Sequence, residues 1–376
     1  MPVKTIPEKV KPAEPESVPA KESVHSIALL LPFYLNQIQP ETANNKEISR
    51  ADLGIDYYQG FKLALDSLAA QGFNFRLHVF DSQEQEVRVA NLARANSVLS
   101  NDLIVGPVFP ESIKVFAELA SVGKKLQVSP LAAAMPSQFK NPQLVTVNNS
   151  IDQHAWKIAD FISRNYQPEK INLVLINTKR SDEEKFVVPF RKYLKALSNN
   201  SISLNERSNA IDLEEQLSAS KINLVIIASD QRSFLLPVID RLYKLSQENY
   251  KIEVFGHPNW IKAQFLDVAK MQALNTHITS SYFIDYKAAN VKHFVSQYRR
   301  EYGLEPSEFA FKGFDAGYYF GKLLARYGMA YANHLTDETY EGLHHSFRFI
   351  RDEKTGYLNA EVMMLQYREF ELQLIK

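Results

Sequence analysis

Short apolar runs alternate with amphipathic segments along most of the chain. In the stretch 101–133, the apolar run 103–105 ends at Gly106-Pro107, and the apolar run 126–128 ends at Ser129-Pro130. Between them, apolar residues recur with the spacing of one helix face, at Ile113, Phe116, Ala117 and Ala120. Two strands joined by one helix over about 30 residues predict a right-handed βαβ unit with parallel strands.

Polar and small side chains follow both strands of this unit. Glu111 and Ser112 come after the first strand, and Ser129 ends the second. Because ligands bind at the carboxyl ends of strands in open α/β sheets, Ser112 and Ser129 are candidates to bind a carboxylate or hydroxyl together with helix N-terminal amides. The alternatives are that Ser112 caps its helix, that Ser129 only ends a strand, and that Glu111 compensates the helix dipole.

The same alternation predicts most of the remaining elements. Strands are predicted at 26–33, 75–80, 144–147, 171–176, 222–228, 252–255 and 277–284, with an edge strand near 201–205. Helices are predicted from about Ile55 to Gly72, at 86–99, 184–197, 262–270, 289–302 and 309–327, and around Ala155 and Leu235. Residues 34–50 are predicted to form a long loop. The strict βαβα order specifies parallel sheets with helices on both faces, and the chain length argues for two such sheets.

The final part of the chain departs from this order. Two helices follow the strand at 277–284 directly, which suggests that the chain returns to the first sheet. The segments 346–350 and 360–369, joined by a turn at 352–356, predict an antiparallel hairpin with Gly356 in the turn.

Composition removes several classes of function. Of the 376 residues, 45% are hydrophobic, so the chain can bury sizeable cores. Lys+Arg 43 and Asp+Glu 43 give a formal net charge of +0, which disfavours binding to nucleic acid or to an anionic membrane surface. The sequence has no cysteine, which excludes disulfides, thiolate nucleophiles and cysteine-ligated metals.

The sequence also lacks the common signals of an enzyme. The motifs G-x-S-x-G, G-x-x-x-x-G-K-[ST], G-x-G-x-x-G and H-E-x-x-H do not occur. Asp182-Glu183-Glu184 is typical of a capped helix start, and His344-His345 are expected to point apart on a strand. We therefore predict no catalytic residue, no metal site and no cofactor.

The segment 1–23 is rich in proline, glutamate and lysine, a composition that predicts a semi-rigid linker. We expect a domain or an anchor before it; the alternative is a disordered tail. The sequence shows neither a signal peptide nor an apolar run of 18 or more residues, so direct membrane insertion is not predicted.

Six segments, in their order and spacing, resemble type I periplasmic binding proteins, in particular the branched-chain amino-acid receptors. They are SIALLLPF, GIDYYQGFKLALDSL, IVGPVFPES, VSPLAA, GFDAGYYFGKLL and RFIRDEKTGYLNAEVMMLQY. The resemblance implies a periplasmic-binding-protein-like I fold, an α/β fold of two doubly wound parallel-sheet lobes. Three crossovers would join the lobes near 147–151, 280–286 and 345–348. Lobe 1 would comprise 24–147 plus 285–345, and lobe 2 would comprise 148–284 plus 346–376.

The resemblance also implies a ligand between the lobes, trapped by hinge closure. Carried over position by position, the first-lobe contacts would be Phe109, Glu111, Ser112, Ser129, Leu131 and Ala132. The second-lobe contacts would be Ser181, Asp182, Ser229, Asp230, His257, Asn259 and Trp260. The acid that holds the α-ammonium of an amino acid is missing from FGHPNW, although Asp230 or Asp182 could substitute. Trp260 and His257 would suit a platform for a sugar or an apolar ligand, and inter-lobe packing of Trp260 is the alternative.

Two functions are consistent with these features. The first is a non-enzymatic receptor of the periplasm or cell envelope that binds a small polar molecule, for instance an amino-acid-like one, for an ABC transporter or a sensor. The second is an envelope-tethered regulator or scaffold that activates the cell-wall machinery through its lobe surfaces, with no small-molecule ligand. A ligand-dependent rise in stability would separate the two.

Overall fold

The computed structural model describes residues 23–38, 41–133, 135–139, 141–352 and 354–375. Of the predicted linker 1–23, all but Ser23 lies outside these described residues. None of the helices in these ranges is both long and apolar enough to cross a membrane.

Strands and helices alternate through the described residues. Strands β1 to β15 are, in order, Val24–Leu31, Asn74–Asp81, Leu103–Val105, Gln127–Ser129, Leu144–Thr146, Ile171–Ile176, Leu204–Arg207, Ile222–Ile227, Lys251–Gly256, His277–Ser280, Thr339–Glu341, Ser346–Asp352, Gly356–Asn359, Met363–Arg368 and Glu371–Ile375. Helices α1 to α10 are Asn45–Ala69, Glu86–Arg94, Asn96–Leu99, Pro110–Leu119, Ile151–Asn165, Ser181–Leu197, Arg232–Ser246, Val268–Ala273, Ala289–Tyr302 and Glu308–Tyr327. Short 3₁₀ turns occupy Pro136–Gln138, Pro168–Lys170, Leu213–Gln216, Pro258–Lys262 and Gly328–His334.

Two sheets organise the described part of the chain. The strand order is β11-β12-β13-β5-β4-β3-β1-β2 in the first sheet and β15-β14-β10-β9-β8-β6-β7 in the second. Neighbours are parallel from β13 to β2 and from β10 to β7. The pairs β11–β12, β12–β13, β10–β14 and β14–β15 are antiparallel. Each sheet carries a hydrophobic core on both of its faces, so the prediction of two doubly wound α/β lobes is confirmed.

The βαβ unit predicted for 101–133 is present, with β3 and β4 as parallel neighbours. Helix α4 turns Ile113 and Phe116 into the protein, as the apolar spacing predicted. Ser112 is the third residue of this helix and Phe109 is its N-cap, so the alternative that Ser112 caps the helix is wrong. Pro110 opens the helix because a proline at this position loses no helical hydrogen bond.

The predicted terminal hairpin and the lobe boundary at residue 346 are wrong in part. The hairpin partner of β12 is β13, with Asp352 opposite Gly356, whereas β14 pairs with β10 and β15 in the second sheet. Residues 346–359 therefore belong to the first lobe, and the chain crosses at 360–362 rather than near 345–348. Backbone pairing of β13 with β12 and β5 places these residues there, and Nδ2 of Asn359 adds hydrogen bonds to the carbonyl oxygens of Val147 at 3.1 Å and Ser346 at 2.9 Å. These bonds hold the chain in the first sheet up to that residue.

Further predictions differ from the structure at their boundaries; the strand predicted at 277–284, for instance, ends at Ser280. Helix α1 begins at Asn45, so the predicted loop 34–50 is shorter, because the first turns of this helix are polar and carry little apolar periodicity. The helix predicted at 86–99 breaks at Ala95, where ψ is 125°. A 3₁₀ turn and helix α8 replace the helix predicted at 262–270.

Helices α1 and α10 pack closely on one face of the first sheet. A Cβ on Gly60 would lie 1.8 Å from the carbonyl oxygen of Ala310, and one on Gly313 would lie 2.1 Å from that of Tyr57. Only glycine permits this approach of the two backbones. The contact fixes the first turns of α10, which face the second lobe.

Candidate ligand site at the hinge

A cavity of about 470 Å³ lies between the lobes, where the chain passes from one sheet to the other. Leu131 and the start of α10 contribute from the first lobe, and the turn 258–262 with the end of β10 contributes from the second. Its polar wall consists of Asn148, Asn149, His154, Asn259, Lys262, Thr279, Ser280, Ser281, Tyr282, Glu308 and Lys312. The volume falls in the range of small-molecule sites.

Three buried polar atoms of this wall have no hydrogen-bond partner among the described residues. They are Oδ1 of Asn149, Nδ1 of His154 and Oγ1 of Thr279. The exposed fractions of these residues are 2%, 6% and 0%. A buried polar group without a partner costs about 1–3 kcal/mol. These three atoms have almost no accessible surface, so a molecule in the cavity would reach them only if neighbouring side chains move.

Hydrogen bonds hold two of these side chains in place. The backbone N–H of Asn149 donates to Oγ of Ser281 at 3.3 Å, and the same hydroxyl contacts Nε2 of His154 at 3.3 Å. Nδ2 of Asn149 donates to the carbonyl oxygen of Asn359 at 2.7 Å. Burial, with a smaller contribution from His257, lowers the pKa of His154 to about 3. His154 is therefore a neutral hydrogen-bonding group at pH 7.

Two lysines and one glutamate form the charged part of the wall. Nζ of Lys312 contacts Oε1 of Glu308 one helical turn away, and Nζ of Lys262 lies 3.5 Å from Oε2 of the same carboxylate. Both ammonium groups also lie near the ring of Tyr282, at 5.2 Å for Lys312 and 5.8 Å for Lys262 from its centroid. Burial lowers the pKa of Lys312, and Glu308 opposes this effect. Lys262 belongs to the second lobe and Glu308 to the first, so this ion pair joins the lobes.

Behind this wall, a pair of histidines contacts Asn148 and Tyr282, which lie in two segments that connect the lobes. Nδ1 of His344 lies 2.9 Å from Nδ1 of His345, and Nε2 of His345 lies 2.9 Å from Oδ1 of Asn148. The ring of Tyr282 stacks on His344 with centroids 4.4 Å apart. Both histidines precede β12, so the expectation that they point apart on a strand is wrong. Burial lowers the pKa of each, which keeps both rings neutral.

Asp315 shapes the loop that carries these histidines. Its carboxylate accepts hydrogen bonds from the backbone N–H groups of Leu343, His344 and His345, each at 2.8 Å, and from the hydroxyl of Tyr340 at 3.1 Å. Among the described residues, Asp315, His344 and His345 are the one group whose spacing would suit a metal ion. Four donors already surround the carboxylate, so its evident role is to anchor the loop.

Of the sequence-predicted ligand residues in the first lobe, Leu131 lines the cavity. Ser129 is fully buried, and its Oγ has no partner in the part of the chain that the structure describes. Ala132 packs in a small core with Ile113. Ser112 is also buried, whereas Phe109 and Glu111 lie exposed at the start of α4. The structure therefore brings one of these six residues into the hinge cavity.

In the second lobe, Asn259 lines the cavity and forms hydrogen bonds with two other predicted residues. Nδ2 of Asn259 donates to Oδ2 of Asp230 at 2.7 Å, and its backbone N–H donates to Nδ1 of His257 at 3.2 Å. Burial lowers the pKa of His257, and Asp230 opposes this effect. Ser181 is exposed, and Asp182 pairs with Arg180 at 3.2 Å on the surface.

Trp260 and Ser229 belong to the core of the second lobe. Nε1 of Trp260 donates to the carbonyl oxygen of Ser229 at 3.0 Å, and the two residues are each 1% exposed. The indole lies against Gly256, where a Cβ would approach a ring atom to 2.2 Å. A buried ring cannot stack on a ligand, so the proposed sugar platform and the inter-lobe alternative are both wrong for Trp260.

The residues that form most of the polar wall were not identified from the sequence. Asn149, His154 and Thr279 lie at or beside the predicted crossovers, so their polarity there was an available signal. Lys312 was a second signal, because it interrupts the apolar face of α10 four residues after Glu308. Neither signal shows which side chains meet in one cavity.

The sequence matches no protein-family model, and no curated protein is detectably similar to it. Solved structures with the same fold include a putative branched-chain amino-acid ABC transporter protein from Rhodospirillum rubrum. It has a TM-score of 0.64 and 16% sequence identity, and the match covers 94% of this chain and 100% of that one. An ABC transporter substrate-binding protein from Desulfitobacterium hafniense, in complex with leucine, has a TM-score of 0.56 and 15% identity over 94% of this chain and 100% of that one.

The C-domain of LpoA from Haemophilus influenzae, described as a regulator of PBP1A, is similar to the same extent. It has a TM-score of 0.59 and 14% identity over 93% of this chain and 100% of that one. At these identities the likeness concerns the fold: the chain has the type I periplasmic-binding-protein fold, as its sequence resemblance implied.

Proposed function

We propose that this protein is a non-enzymatic binding protein of the periplasm or cell envelope that holds a small polar molecule in the hinge cavity. The lobes close over the molecule, and the closed form is recognised by a transporter or a sensor. The observation that carries the proposal is a cavity of about 470 Å³ between the lobes, with a largely polar wall to which both lobes contribute.

The position of the cavity supports this proposal. Its wall includes residues of both lobes and of two connecting segments, so a molecule bound there contacts each part that moves in a hinge closure. A ligand that binds the closed form more tightly shifts the population toward it. The fold is shared with a protein whose crystal structure contains leucine, which supports a small polar ligand.

Thermal stability in the presence of candidate ligands tests the proposal. Amino acids, hydroxy acids, sugars and muropeptides would be added singly to the full chain, and native mass spectrometry would detect any molecule that co-purifies. A ligand at 100 times its dissociation constant should stabilise the protein by about 2.7 kcal/mol. Absence of both a stability increase and a co-purifying molecule would contradict the proposal.

A regulator or scaffold of cell-wall synthesis is the second candidate function. It is supported by the shared fold of the LpoA C-domain and by the predicted proline-rich linker at 1–23. This function uses lobe surfaces and needs no cavity ligand. It predicts that ligand panels leave stability unchanged, and that the protein stimulates a cell-wall synthase in a reconstituted assay.

A further inference from the structure

We infer that the ligand of the hinge cavity is a small organic anion whose carboxylate lies against Lys312 and Lys262. This inference rests on the proposed function and specifies the chemistry of the same site. Among the described residues that line the cavity, the charged ones are Lys262, Glu308 and Lys312. One carboxylate faces two ammonium groups, so the wall carries an excess of one positive charge.

The two lysines have donors to spare. An ammonium group carries three N–H donors. Lys312 uses one of them on Glu308, and the ring centroids of Tyr282 and Phe309 lie 5.2 Å and 5.6 Å from its Nζ. Lys312 is 8% exposed, so little of its remaining capacity reaches solvent. Lys262 reaches the same carboxylate from the other lobe at 3.5 Å. A second carboxylate, supplied by the ligand, would complete the pairing of both ammonium groups.

The other polar side chains of the described wall are uncharged, among them Asn148, Asn259 and Ser281. Amides and hydroxyls can donate and accept hydrogen bonds. A fitting molecule therefore combines a carboxylate at the lysine end with hydroxyl, amine or amide groups at the other end.

Cationic ligands lack a matching group in this cavity. Asp230 and Asp182 were the candidates to hold an ammonium group, but neither belongs to the described cavity wall. Asp230 accepts from Asn259, and Asp182 pairs with Arg180. Glu308 is already shared by two lysines. The cavity should therefore select anionic ligands, because a neutral or cationic analogue would leave the ammonium group of Lys312 incompletely paired.

Matched acids and amides test this inference on the full chain. The probes are lactate and lactamide, succinate and succinamide, and leucine and leucinamide, measured by isothermal titration calorimetry. We expect binding of at least one acid and at least tenfold weaker binding of its amide. Lys262→Gln and Lys312→Gln should each weaken acid binding about tenfold, because a charged hydrogen-bond donor is lost. Lys270→Gln, which removes the surface ion pair between Lys270 of α8 and Asp240 of α7, should change the affinity less than twofold.

Lys262 is largely exposed, so its variant tests the inference even if Lys312→Gln folds poorly. Equal binding of acid and amide, or of a neutral sugar, would overturn the inference and leave the proposed receptor function standing. Equal affinities of Lys262→Gln and Lys270→Gln would also overturn it. If no acid, amide, sugar or muropeptide binds, the inference and the proposed function both fail.

Discussion

Lys262 of the second lobe and Glu308 of the first lobe meet across the hinge cavity, with Nζ 3.5 Å from Oε2. Glu308 also pairs with Lys312, whose side chain is 9% exposed, whereas the side chain of Lys262 is 68% exposed. The two pairs therefore differ in their expected energies. An exposed pair contributes about 0–1 kcal/mol, but removing the partner of a buried charge costs more.

Glu308→Gln should lower the free energy of unfolding by about 2 kcal/mol, because it leaves the ammonium group of Lys312 buried without a counter-charge. Urea denaturation measures this effect. The double variant Glu308→Gln/Lys312→Gln should recover about half of the loss, since it removes the unpaired charge. Lys262→Gln is the matched control and should cost less than about 1 kcal/mol. Equal decreases in the free energy of unfolding for Glu308→Gln and Lys262→Gln would show that the burial of Lys312 does not affect stability.

Thr279→Val should leave the ligand-free protein as stable as the wild type or up to about 1 kcal/mol more stable. The substitution preserves the shape of the side chain and removes a buried hydroxyl that has no partner among the described residues. Thr146→Val is the control: its hydroxyl donates to the carbonyl oxygen of Tyr357 at 3.4 Å, so its loss should destabilise the protein. A destabilised Thr279→Val variant would indicate that this hydroxyl serves the fold.

Buried histidines should make the protein sensitive to mild acid. Burial lowers the pKa of His154 from 6.5 to about 3 and that of His277 from 6.5 to about 4. The unfolded chain therefore takes up protons first as pH falls below 6.5. Their contribution to stability is complete above this pH and is lost as pH falls toward 4.

His154→Asn should reduce the loss of stability between pH 6.5 and 4 by about 3 kcal/mol, as measured by urea denaturation at several pH values. His293→Gln, a substitution at an exposed residue of α9, is the control and should preserve the wild-type pH dependence. Parallel curves for His154→Asn and the wild type would contradict the assignment.

Gly313→Ala should destabilise the first lobe by about 2 kcal/mol or more, because the new methyl group meets the backbone oxygen of Tyr57. Movement of α10 would also displace Lys312, so ligand affinity should fall as well. Gly321→Ala is the matched control in the same helix. Its methyl group meets the flexible ends of Leu65 and Leu68, and we expect a change below about 1 kcal/mol. Equal effects of the two variants, by urea denaturation, would argue against the backbone contact as the cause.

The sequence predicts the strands well where burial on both faces produces a continuous apolar run. Residues 103–105 and 171–176 form strands with the predicted bounds. Prediction fails where polar side chains decide the path of the chain. Asn359 holds β13 in the first sheet through hydrogen bonds to Val147 and Ser346, which are more than ten residues away in sequence. The spacing of apolar residues along the sequence does not reveal such long-range hydrogen bonds.

The candidate site was less predictable than the fold. Resemblance placed ligand contacts at strand ends, and Leu131 and Asn259 do reach the cavity. The direction of a side chain is a separate property, however: Trp260 turns into the core because Gly256 leaves room for its ring. That Thr279 keeps an unpartnered hydroxyl depends on neighbours from other elements, which no local pattern contains.

The amide of Asn148 sets the proton positions of the two histidines behind the cavity. Its Nδ2 donates to the carbonyl oxygen of Leu131 at 2.6 Å, so its Oδ1 must accept from Nε2 of His345. Nδ1 of the neutral His345 ring is then unprotonated, and it accepts a hydrogen bond from Nδ1–H of His344. Nε2 of His344 remains an unprotonated atom without a partner in the described residues. The backbone carbonyl of Leu131 therefore determines the tautomers of both histidines. As long as it accepts from the amide of Asn148, His345 is protonated at Nε2 and His344 at Nδ1.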